Sequence, residues 1–121
     1  AYKKALKAAI DRYASANMGS ELMIIATGME STKKEELEKL VPIGTAYTKL
    51  AHEIIQIPTP RSVSATALEL ANSTAVMGAS LSQVAHFYND VLSGMVGLDD
   101  YVKASAVADR TSLELSAYFG T

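Results

Sequence analysis

Residues 59–95 read TPRSVSATALELANSTAVMGASLSQVAHFYNDVLSGM, and the reading of this stretch decides the fold. Only Arg61, Glu69 and Asp90 carry a formal charge across it. Val63, Ala67, Leu70, Thr74, Met77, Leu81, Val84, Tyr88, Val91 and Met95 recur at an unbroken 4-3-4-3 spacing. At 3.6 residues per turn, that spacing keeps one seam of a helix facing its neighbours for about nine turns. The stretch is therefore expected to form one long central helix around which the remaining segments pack.

The flanks supply boundaries for it. In Ile57-Pro58-Thr59-Pro60 both prolines push the preceding residue out of helical geometry. Thr59 is expected to cap the central helix, with Pro60 at the first helical position, where a missing N–H costs nothing. Ser93-Gly94-Met95-Val96-Gly97 should end it, its glycines giving a C-cap and a tight turn. Asp99 then caps a last helix over residues 100–119, with Tyr101, Val102, Ala106, Ala108, Leu113, Leu115 and Phe119 facing in.

Upstream, Tyr2, Leu6, Ile10, Tyr13 and Asn17 recur every three to four residues and predict a first helix over 1–27. Gly19 and Ser20 lie inside the pattern and weaken it, an interior glycine costing roughly 1 kcal/mol relative to alanine. Leu22-Met23-Ile24-Ile25-Ala26 has no second strand to pair with, so it reads as helix, stopped by Gly28. A capping box of Thr32 and Glu35 opens the second helix. Glu35 with Lys39 and Lys34 with Glu38 form its solvated side, and Leu37, Leu40 and Val41 its apolar side. Pro42 would delete one hydrogen bond and crowd the Glu38 carbonyl, at about 3 kcal/mol. A kink or break is therefore expected between Leu40 and Ile43, followed by a segment to Gln56 carrying Ile43, Tyr47, Leu50, Ala51, Ile54 and Ile55. Short connections predict antiparallel neighbours. The expected fold is all-α: a single domain over 1–121 forming an up-down-up-down four-helix bundle, its second helix kinked or broken at Pro42 and its third long and central.

Composition narrows the function more than it names one. The 121 residues carry a net charge of −2 with no long Lys/Arg block, which argues against the phosphate-neutralising face that nucleic-acid binding requires. Absence of cysteine excludes disulfides, zinc-thiolate sites and thiol catalysis. The most apolar window, from Val63 to Val84, contains Glu69, Asn72 and Gln83 among many Ser and Thr, so no membrane insertion of this segment is expected. The chain begins Ala1-Tyr2-Lys3-Lys4 in what already reads as helix, which predicts an excised domain or a processed mature protein.

Catalytic patterns are missing from the sequence. Serines are spread along helices without a Gly-x-Ser-x-Gly elbow, and Gly94-Met95-Val96-Gly97 lacks the Lys-Ser/Thr of a phosphate loop. Di-iron bundles use Glu-x-x-His, but Lys49 lies three residues before His52 and Gln83 three before His86. His86 and Asp90 read as an exposed i,i+4 pair, and no metal or other cofactor is expected. Glu69, Asp90, Asp99, Asp100, Asp109 and Glu114 are available for acid–base work, but no spacing pairs two of them in a cleft. An enzyme is not expected.

Two features carry functional expectations. Small residues line the back of the central helix: Ala71, Ala75 and Ala79 are spaced by four, and Gly78 and Ser82 repeat that spacing one strip over, beside Val76. Such spacing lets another helix approach closely. A helix with almost no charge on any side is normally surrounded by protein. Either its neighbours wrap it, or this face meets another subunit or domain. The main expectation is a non-enzymatic structural or protein-interaction domain of a larger protein or assembly, contacting a protein partner or a second copy through Ala75, Val76, Gly78, Ala79 and Ser82. The six tyrosines suit core rims, with the ring buried and the hydroxyl reaching a polar group. They carry the alternative, an extracytoplasmic ligand-sensing bundle with an inter-helix pocket lined by Tyr13, Tyr47 and Tyr88.

Overall fold

A computed structural model of the protein describes residues 1–13 and 21–120. Among these residues the fold is all-helical, without strands. The helices are α1 (Tyr2–Tyr13), α2 (Glu21–Ser31), α3 (Lys34–Glu38), α4 (Leu40–Gln56), α5 (Ser64–Ala85) and α6 (Val91–Phe119), with a 3-10 turn at Arg61–Val63. Five of these are substantial and α3 is a five-residue turn of helix, against an expectation of four.

Of the expected first helix, α1 and α2 are the described parts, α2 running on to Ser31, and Asn17, Gly19 and Ser20 lie outside the described residues. Gly28 does not stop α2. A Cβ there would sit 2.5 Å from Leu37 Cδ2, so Gly28 serves close approach inside a continuing helix. The stop comes at Thr32, which takes the left-handed conformation (φ 54°) and donates its hydroxyl to the Ser31 carbonyl at 2.7 Å. For a β-branched residue that conformation costs on the order of 1–3 kcal/mol. The expected capping box is therefore absent: Lys33 precedes α3 without a side-chain cap. The break in the next segment falls at Lys39, and Pro42 occupies the first turn of α4, where an N–H has no intrahelical acceptor.

After α4, Ile57 turns extended and Pro60 remains non-helical. Thr59 caps nothing; its hydroxyl donates to the Ile57 carbonyl at 2.9 Å. The larger correction lies downstream. α5 stops at Ala85, the chain turns through 86–90, and Asp90 caps α6 by accepting from Ser93 N–H at 3.0 Å. Gly94 and Gly97 are thus inside α6. A Cβ at Gly94 would lie 2.5 Å from Phe87 Cδ2, and one at Gly97 2.9 Å from the Ser80 carbonyl. Asp99 lies within α6 and pairs with Lys103 at 2.9 Å.

From Val63, the last residue of the 3-10 turn, through α5, the seam residues Val63, Ala67, Leu70, Thr74, Met77, Leu81 and Val84 are all buried. Val91 and Met95, which continue the same spacing into α6, are about half exposed (49% and 56%). Along α6 the buried residues are Gly94, Gly97, Tyr101, Ala104, Thr111 and Leu115, while Val102 and Leu113 point to solvent. Two apolar clusters result. One joins Ile25, Leu37, Leu40, Ile43, Met77, Leu81, Val84 and Tyr101. The other joins Tyr2, Leu6, Leu50, Ile54, Val63, Leu70 and Leu115.

α5 runs antiparallel to both α4 and α6. Gly44 near the start of α4 meets Gly78 late in α5, and Arg110 late in α6 pairs at 2.5 Å with Glu69 early in α5. At the α4–α5 crossing a Cβ on Gly78 would lie 2.5 Å from Thr48 Oγ1 and 2.7 Å from the Gly44 carbonyl. Only glycine lets the two backbones come this close.

Candidate functional site

The outer face of α5 is what α4 and α6 leave open. Its exposed residues Ala65, Leu68, Asn72, Ala75, Ala79, Ser82 and His86 follow a 3-4 spacing of their own. This second seam is turned away from the buried one, and no seam position carries a formal charge. Glu69, beside it, is tied to Arg110. A 3-4 row of exposed small and apolar residues is the geometry that accepts a further helix.

Shallow grooves lie on either side of the seam. Between α5 and α6 a cavity of 350 Å³ has an apolar floor of Val76, Ala104 and Val107 and a rim of Glu69, Asn72, Asp100 and Lys103. Asp99 holds the Lys103 ammonium by a hydrogen bond, raising its pKa and keeping it charged. Between α4 and α5 a cavity of 330 Å³ is lined by Val41, Gly44, Thr45, Thr48, Gly78, Ala79 and Ser82 among others. The expected contact residues therefore divide. Ala75, Val76, Ala79 and Ser82 are exposed, whereas Gly78 is buried and spends its missing Cβ on α4 of the same chain.

The tyrosines of the expected pocket do not converge. Tyr13 packs beside the cluster of Tyr2 and Leu6. Tyr88 donates its hydroxyl to the Gly28 carbonyl at 2.9 Å, and Tyr47 donates to Glu21 Oε1 at 2.5 Å. Tyr101 Oη also donates to Glu21 Oε1, at 3.0 Å. Glu21 is only 3% exposed, so two phenols from α4 and α6 meet one buried carboxylate oxygen at the first turn of α2. Burial, then the hydrogen bond from the phenol to Glu21, pushes Tyr47 well above its ordinary value of 10.0. Burial and the Glu21 charge do the same to Tyr101. Sequence reasoning missed this cluster. Its one visible signal was a lone carboxylate directly preceding an apolar run.

The histidines stay apart as well. His52 faces Gln56 within its own helix at 3.1 Å, and His86 Nδ1 donates to the Ser82 carbonyl at 2.8 Å. Asp90, expected to pair with His86, is engaged as the cap of α6. Among the described residues no three or more His, Cys, Asp or Glu gather where they would hold a metal ion. Among the same residues no helix is long and apolar enough to cross a membrane.

No protein-family model, curated protein or solved structure matches this chain.

Proposed function

We propose that this chain is a non-enzymatic helical-bundle domain with a structural or protein–protein interaction role, working as part of a larger protein or assembly. Taken with α1 and α2 as one arm and α3 and α4 as another, it reads as an up-down-up-down bundle with α5 at its centre. The observation that carries the reading is the outer face of α5. From Ala65 to His86 its exposed seam is uncharged and follows the spacing of a helix contact. A surface meant only for water would carry more charge. The occupant is a protein helix, from a partner or from a second copy, laid along Ala75, Val76, Ala79 and Ser82.

Replacing Ala79 with Arg places a long cation on the seam without entering the buried core. The variant is expected to keep its helicity and cooperative unfolding while losing association, read by sedimentation velocity for self-association or by co-sedimentation for a partner. A chain that is monomeric by sedimentation both before and after the change rules out the second copy. Unchanged capture of a co-purifying partner by the Arg variant rules out this face for any partner.

A further inference from the structure

α2 enters the core through few residues. Its buried residues are Glu21, Ile25 and Gly28 of eleven, while Leu22 and Met23 are 62% and 73% exposed. Elements with so few buried apolar contacts open at lower free energy than the elements they cover.

Its attachments are polar or strained at both ends. At one end the Glu21 carboxylate takes the Tyr47 and Tyr101 hydroxyls on a single oxygen. Because both bonds end on one atom, a shift of α2 breaks them together, and only a shift wide enough to admit water to the carboxylate and the phenols offsets their loss. At the other end Thr32 is held in the left-handed region, and any motion that lets it relax recovers the strain. In the middle, Tyr88 Oη ties the Gly28 carbonyl to the turn after α5.

We infer that α2 is a hinged cover, latched by the Glu21 carboxylate on the phenols of Tyr47 and Tyr101 and turning about Thr32. What it covers is the apolar cluster of Leu37, Leu40, Ile43 and Leu81, into which Ile25 inserts. Opening breaks the bonds of Tyr101 and Tyr88 to α2 and presents that surface, while the packing of α5 against α4 and α6 does not run through α2. The device is independent of the outer α5 seam and stands if that interface is absent.

Hydrogen exchange read by mass spectrometry on the full 121-residue chain tests it. In the unmodified protein, amides of residues 22–31 should exchange faster than those of residues 67–84 and depend less on added urea. Equal rates with equal urea dependence overturn the cover. Tyr101→Phe removes one latch bond and should speed α2 exchange roughly two- to ten-fold; an unchanged rate overturns the latch. Should Tyr101→Phe not fold, Tyr47→Phe removes the other donor from a half-buried position and reads the other bond of the same latch. Thr32→Gly relieves the strain of the closed state and should slow α2 exchange a few-fold. Unchanged or faster exchange in that variant overturns the hinge.

Discussion

α2 and α5 are both apolar helices, yet they stand in opposite relations to the core. α2 carries Leu22-Met23-Ile24-Ile25-Ala26 in one block, which winds around the helix and leaves Leu22 and Met23 in solvent. α5 is rich in Ala, Ser and Thr, yet half of its 22 residues are buried because most of its larger side chains, Leu68 and Val76 aside, keep to one seam. Spacing, and not apolar content, decides which helix a core is built on. Even the polar residues of α5 fit this logic: Thr74 and Ser73 are buried, and their hydroxyls donate to the Leu70 carbonyl of their own helix at 2.7 and 3.0 Å. Their hydrogen bonds are thus met without breaking the seam. α2 instead sends its buried polar group, Glu21, to other helices.

The contrast can be broken most directly at Leu81, which is fully buried in the last turns of the α5 seam. Leu81→Ala should cost about 2–5 kcal/mol, seen as a large fall in the urea midpoint. A loss no greater than that of an exposed site would remove α5 from its organising place. Next in size, Gly78→Ala should cost about 1–3 kcal/mol by forcing α4 and α5 apart at their closest point, measured by the same unfolding curve.

The polar anchor of α2 gives a pH test. Tyr47 and Tyr101 titrate above their unfolded value of 10.0, so the unfolded chain ionises first. Their contribution is complete below pH 10 and is lost as pH rises toward the folded-state values. The urea midpoint should fall above pH 10, and more shallowly in Tyr47→Phe; identical alkaline slopes would detach the phenols from the Glu21 site. A smaller loss, about 1 kcal/mol, is expected for Asp90→Ala, which removes the α6 cap and with it the sharp end of the α5 seam. Thermal unfolding with an unshifted midpoint would show that the turn holds without it. Smallest of all, Met23→Ser on the open side of α2 should stay within about 0.5 kcal/mol of the unchanged protein. A large drop there would mean that α2 is buried in solution.

Much of this architecture was legible in residues 63–84, where seven seam positions called for burial and all seven have it. Legibility failed where one chemical feature has two uses. The 4-3 spacing runs on through Tyr88, Val91 and Met95, and periodicity alone does not register that the chain reverses between His86 and Asp90. The informative signal is Asp90 three residues before Ser93, a capping position that the i,i+4 spacing to His86 hides. Glycine has a similar ambiguity. Gly28, Gly94 and Gly97 read as stops because glycine favours turns, but each lies inside a helix where a neighbour needs the space of a missing Cβ. Glu21 was hidden for a different reason: what makes it a site is two phenols 26 and 80 residues away, and no local pattern announces such a meeting.

The contact of Gly44 with Gly78 has a mechanical consequence. Where side chains separate two helices, repacking can widen the gap or let one helix slide by a turn. Where backbone rests on backbone there is nothing left to compress, and a slide in either direction would drive a side chain into the opposing chain. The crossing therefore works as a register pin: it sets which residues of α4 lie opposite which of α5 along the apolar clusters on either side of it.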